Sequence, residues 1–131
     1  MNRFLEGVAS VLEVDEVSLD TEFRSVPGWC SLQGFGLLVL LENDWKAPVA
    51  LDRFLDLKTV RDLYREAFLA FAAMVFKVDR TALRGDLAYG EIPAWDSVNH
   101  LKLVMEAERH FGSSYRLEQI PALKRLDDFL V

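Results

Sequence analysis

Two serines stand at matching places in this chain. Pro27-Gly28-Trp29-Cys30-Ser31-Leu32 returns as Pro93-Ala94-Trp95-Asp96-Ser97-Val98, an offset of 66 residues. Asp96 or Ser97 is suited to open a helix, since a short side-chain oxygen accepts a bond from one of the free N–H groups of the first turn. A serine hydroxyl attacks a substrate only with a base beside it. Cys30 meets the same requirement, and the only histidines, His100 and His110, lie in the other half of the sequence. Those two histidines lack a third ligand at helical spacing, so a surface position is expected for both rather than a metal site. Gly34-x-Gly36 lies inside an apolar segment, without the strand and turn that a dinucleotide site needs. No acid–base pair, nucleophile–base pair or metal cluster can be assembled, so the chain is not expected to be an enzyme.

The elements that must position these serines also repeat. The offset of 66 carries Glu42 to Glu108, Trp45 to Phe111, Leu57-Lys58 to Leu123-Lys124 and Asp62 to Asp128. Upstream an offset of 64 pairs Phe4 with Phe68, Val11 with Val75, Val14-Asp15 with Val78-Asp79 and Leu19 with Leu83. The two extra residues are expected around Tyr89-Gly90-Glu91. The 131 residues thus divide into units 1–65 and 66–131.

Each unit reads as helices. Phe4, Leu5, Val8, Val11 and Leu12 keep helical spacing. A loop from Val14 to Gly28 follows, anchored by Leu19, Phe23 and Val26. Ser31 to Trp45 is a second helix, Asp52 to Leu55 a short turn, and Thr59 opens a last helix. Unit two gives Phe68 to Phe76, Ser97 to Phe111, a turn near Glu118 to Pro121 and a last helix from Lys124. No strand alternation or hairpin signal is present. Between Thr59 and Lys77 there is no Gly or Pro, which predicts one continuous helix across 59–77 joining the units. Trp29 and Trp95 are expected to pin their loops onto the core. Glu13 to Glu22 reads as solvated loop, and Asp127-Asp128 as an exposed helix face.

Composition sets limits. Apolar residues make up 51%, enough for a core, and 15 basic residues face 21 acidic ones, a net charge of −6. Nucleic acid, which needs a basic face, is not an expected partner. The single cysteine excludes a disulfide framework. The longest apolar run, Gly34 to Leu41, is short of the roughly 20 residues of a membrane span. The N-terminus lacks the apolar core of a signal peptide, and a cytoplasmic location is expected.

The helix order, with a long first loop and Asp-Ser opening the second helix, resembles the acyl and peptidyl carrier proteins. The matching residues are Val78-Asp79, Leu83, Leu87, Pro93, Trp95-Asp96-Ser97-Val98, Leu101, Met105-Glu106, Glu108, Phe111 and Leu126. The Trp form of the motif is similar to carriers of specialised-metabolite and surface-polysaccharide pathways. The resemblance implies two tandem four-helix bundles and 4′-phosphopantetheine, taken from coenzyme A, on Ser97. It implies a phosphopantetheinyl transferase, a loading enzyme for acyl or aminoacyl groups and a downstream acyl-using enzyme as partners. Asp96 would place the serine, and Val98, Leu101 and Met105 would flank the arm and meet partners.

Unit one departs from that pattern, with Cys30 in place of the acid. It is expected to be a degenerate scaffold, Ser31 being a cap, with a second arm on Ser31 as the competing expectation. Helical spacing points Gln33, Gly36, Leu37, Leu40 and Asp44 outward. Leu37 and Leu40 then form an apolar contact surface, to be covered by unit two, a second copy in a homodimer, or a partner enzyme. Gly34 and Gly36 suggest another backbone packed close by. In unit two Asn99, His100 and Lys102 stand where the family often has acids. The alternative reading is an unmodified helical interaction or dimerisation module derived from carriers.

Overall fold

Thr59 takes the N–H of Asp62 on its hydroxyl, and the Asp62 carboxylate takes the N–H groups of Lys58 and Thr59. This reciprocal cap starts a helix that nothing in the sequence interrupts before Lys77. The computed structural model describes residues 3–130, and the helix runs from Val60 to Phe76. Among the described residues it is the fourth of five α-helices: α1 (Arg3–Leu12), α2 (Ser31–Asp44), α3 (Leu51–Asp56), α4 (Val60–Phe76) and α5 (Ser97–Phe111). Short 3₁₀ turns cover Phe23–Ser25, Arg80–Ala82, Leu117–Ala122 and Leu126–Phe129. The fold is all-α. Among the described residues β pairing is limited to two isolated bridges, Glu22 with Thr59 and Ala88 with Arg125.

Those two bridges lie 66 residues apart, and the loop hydrogen bonds repeat with them. Phe23 N–H donates to Lys58 O and Tyr89 N–H to Lys124 O. Val60 pairs with Thr21 as Leu126 pairs with Leu87, and Arg61 with Leu19 as Asp127 with Gly85. At the helix ends the offset is 64: Val14 N–H donates to Ala9 O and Val78 N–H to Ala73 O. Glu13 and Lys77 both take a left-handed conformation there, φ 57° and 58°. The bonds move the two extra residues. Leu19 corresponds to Gly85, not Leu83, so the insertion lies between Asp79 and Arg84, at the Arg80–Ala82 turn, and not around Gly90. Side-chain similarity at Leu83 had masked this shift, because one apolar loop anchor replaces another without altering the pattern.

One core serves both halves. Trp45 at the end of α2 stacks on Phe111 at the end of α5, centroids 4.9 Å apart and planes at 4°. Phe4 of α1 packs edge-on against Trp45 at 5.4 Å, and Phe68 of α4 lies 5.8 Å from Phe111. Arg3 donates to the carbonyl of Arg109 at 2.7 Å, which ties the start of α1 to the end of α5. Helix α4 contacts α1, α2 and α5.

Three expectations are corrected. Leu37 is 1% exposed and Leu40 half-buried, because this face of α2 packs against α1. A Cβ on Gly7 would come 3.3 Å from Leu40, and one on Gly36 would come 2.9 Å from Val11. The outward face is turned from the expected phase and carries Leu32 and Phe35. Side chains rather than a second backbone explain both glycines, since the Trp29 ring lies 3.4 Å from a Cβ on Gly34. Second, the helix expected from Lys124 is one 3₁₀ turn, Leu126–Phe129, in the described residues. Asp128 opens it as Asp62 opens α4, accepting from Lys124 and Arg125 N–H at 3.0 Å each. Third, the Asp127-Asp128 pair is not a solvated face: Asp127 accepts from Arg65 of α4 at 2.8 Å.

Candidate functional site

Trp95 is 1% exposed and is the residue that fixes the loop before α5. Its indole N–H donates to His100 Nδ1 at 3.1 Å. His100 Nδ1 is then an acceptor, so Nε2 carries the proton and donates to Ile120 O at 3.0 Å. This chain of bonds ties the serine loop, α5 and the Leu117–Ala122 turn together. The histidine is buried, not at the surface as spacing suggested, because its partners replace every bond water would give. Both ring nitrogens are engaged, so His100 is not a base for Ser97. His110 is half-buried, its ring stacked on Phe71 at 4.9 Å and edge-on to Trp45 at 5.2 Å. Burial first, and the Arg3 charge second, hold His110 below the ordinary histidine range. Among the described residues no group of three or more His, Cys, Asp or Glu could hold a metal ion.

Asp96 is the cap that the sequence indicated: its carboxylate accepts from Asn99 N–H at 2.9 Å. Asn99 holds the loop from the other side, donating from Nδ2 to Ala94 O at 2.6 Å. Ser97 is the first residue of α5 and is exposed. A groove of about 540 Å³ begins at Ser97 and runs between α5 and the Leu117–Ala122 turn, with Tyr89, Leu101, Pro121 and Leu123 in its walls. Val98, Leu101 and Met105 are exposed along the same side of α5.

The first half carries a smaller version of this site. Ser31 is exposed at the start of α2, beside a groove of about 300 Å³ walled by Trp29, Phe35, Phe54 and Leu55. Cys30 is exposed at the cap position, and Gln33 Oε1 accepts its N–H at 3.2 Å. Gly34 replaces His100, and the larger share of the space goes to the Trp29 ring. Arg24 lies over the Phe23 and Phe54 rings at 4.7 and 5.2 Å and donates to the carbonyls of Phe54 and Leu57. The two grooves share four positions under the offset of 66, Ser31 with Ser97, Gly34 with His100, Phe35 with Leu101 and Leu55 with Pro121, and the exposed pairs Leu32–Val98 and Phe35–Leu101 follow the same offset. The repeat therefore held the signal for Leu32 and Phe35, where helical spacing alone chose the wrong phase. The roles of His100 and Tyr89 had no such signal, since they depend on which residues the loop brings over α5.

Among the described residues no helix is long and apolar enough to cross a membrane. No family's sequence model, no curated protein and no solved structure matches the chain.

Proposed function

We propose that the chain is a covalent carrier, holding acyl or aminoacyl thioesters on a 4′-phosphopantetheine arm attached to Ser97. The observation that carries this reading is the placement of Ser97. Its hydroxyl is exposed on the first residue of a capped helix, at the mouth of an apolar groove, on a loop locked by Trp95 and His100. A phosphodiester there fits the residues present. The helix start offers N–H groups and a positive dipole end to the phosphate. Asp96 accepts from Asn99 N–H, which fixes its carboxylate in the cap beside the serine.

The arm, when bound, supplies a thiol for thioester exchange. The chain's own residues do the rest: Ser97 Oγ gives its proton to the transferase's base and bonds to the phosphorus next to the pantetheine as the pyrophosphate bond of coenzyme A breaks and adenosine 3′,5′-bisphosphate leaves, Asp96 and Asn99 hold the serine in place, and the groove offers the cargo an apolar wall. The transferase brings the base and coenzyme A, so the carrier is substrate and shuttle rather than catalyst. In this reading 1–65 and 66–131 are tandem carrier-type bundles sharing α4. The first is degenerate, because Cys30 replaces the acid and the groove beside Ser31 is narrowed by Trp29.

A second reading is favoured by one observation. Leu32, Phe35, Leu51 and Leu55 are all exposed around the Ser31 groove, as in a helical interaction or dimerisation module. Labelling with a fluorescent coenzyme A analogue and a broad-specificity transferase separates the two. The carrier predicts label on wild type and on Ser31→Ala, and none on Ser97→Ala; an interaction module takes no label on any of them.

A further inference from the structure

Glu66 in α4 is the one buried acid among the described residues, 7% exposed. A carboxylate held out of water needs pairing, and Glu66 has two partners. Arg53 Nε of α3 donates to one oxygen at 2.9 Å, and Arg80 Nη2 donates to the other at 2.8 Å. One carboxylate between two guanidiniums leaves a positive charge over. A guanidinium carries five N–H donors, and Arg80 spends one on Glu66 and one on Leu83 O. Glu66 and Arg80 both line a cavity of about 470 Å³ between the loop after α2 and the last turns of α4. Pro48, Val49, Ala73 and Met74 give it apolar walls, and the exposed Lys46 and Lys77 complete the lining. Asp44 and Asp79 stand beside it in sequence and stay charged, but neither lines it, and Asp79 is turned onto Thr81.

The repeat does not account for this arrangement. Arg80 falls in the two-residue insertion, and the offset of 64 pairs Ala70 and Lys77 with Glu6 and Glu13. The corresponding place along α1 therefore carries acids where this one carries a small residue and a cation. We infer that the cavity binds a small organic carboxylate with an apolar tail. The carboxylate takes remaining N–H donors of Arg80 in a charge-assisted pair. The tail lies against the Ala73 and Met74 side of α4, which takes apolar surface out of water. The volume falls in the range of small-ligand sites, about 300–1,000 Å³. A cationic headgroup would meet two guanidiniums around the one acid. The site is separate from Ser97 and does not rest on the carrier reading.

The test is an NMR titration of the full chain with octanoate, and with 1-octanol and octylammonium as probes of the same tail. Octanoate is expected to give saturable shifts at Ala70, Ala73 and Met74 and to bind about tenfold tighter than octanol. Octylammonium is expected to give no shift there. Arg80→Gln loses the tenfold preference. That variant also leaves Glu66 one partner short, so Ala70→Phe is run beside it: it fills the cavity, keeps every charge, and abolishes the shifts. The inference is overturned if octanoate gives no saturable shift in the cavity, or if either other probe binds there as well as octanoate. It is also overturned if a folded Arg80→Gln or Ala70→Phe chain binds octanoate as wild type does. Octanoate shifts confined to the groove at Ser97 overturn it too.

Discussion

Trp95 and His100 form the joint on which the serine loop turns. The indole is buried against Phe76, centroids 5.7 Å apart, and its N–H has one partner, His100. Trp95→Ala is expected to cost roughly 3–5 kcal/mol in a denaturant melt, the range for removing a large buried aromatic. A loss below about 1 kcal/mol would contradict its placement as the anchor. Asp96→Ala removes a cap and should cost about 1 kcal/mol, with no change in the core. At this scale the caps were legible in sequence, because Asp96 and Thr59 each act on the N–H group three residues away. His100 was not. A histidine among polar neighbours reads as exposed until the fold shows a Trp N–H and a carbonyl closing over it.

Helices α2 and α5 differ less in their form than in what their outward sides carry. Both open at an exposed serine beside a groove, yet only α5 has an acidic cap. Helix α4 is the element on which both halves depend, since it packs against α1, α2 and α5. Ala70→Pro in its middle removes a backbone donor and clashes with the preceding turn, at a cost of about 3 kcal/mol or more. Circular dichroism melts should show the loss falling on the whole chain. A melt in which one half keeps its wild-type midpoint would contradict a shared helix. The run of strong helix formers from Thr59 made α4 readable. The phase of α2 was not, because eight apolar or glycine residues from Gly34 to Leu41 leave no polar side to orient by. Only contact with Val11 and Gly7 of α1 settles which side is inside.

The two halves meet in one aromatic cluster, Phe4, Trp45, Tyr64, Phe68 and Phe111, rather than across a linker. A single cooperative unfolding transition is therefore expected. His110 sits at that meeting point, held in its uncharged form by burial and by Arg3. The folded state binds the proton less readily than the unfolded chain, whose histidine titrates near 6.5. Its contribution is fully present above that pH and is lost as pH falls from there through the lower folded value. His110→Phe keeps the stack on Phe71 and is expected to flatten the fall in stability as the pH drops below the unfolded value of 6.5. Equal slopes in the two proteins would contradict this. The repeat was legible across the molecule, because it needs only matching residues. The shared core was not, since the stacking of Trp45 on its own equivalent, Phe111, is a long-range pairing that no local pattern announces.

The central claim is that Ser97, and not Ser31, carries a phosphopantetheine arm. Intact mass after incubation with coenzyme A, magnesium and a broad-specificity phosphopantetheinyl transferase tests it most directly, with Ser31→Ala and Ser97→Ala run beside wild type. The account predicts one added arm on wild type and on Ser31→Ala, and none on Ser97→Ala. No addition to a folded chain, with an active control carrier in the same tube, would contradict it.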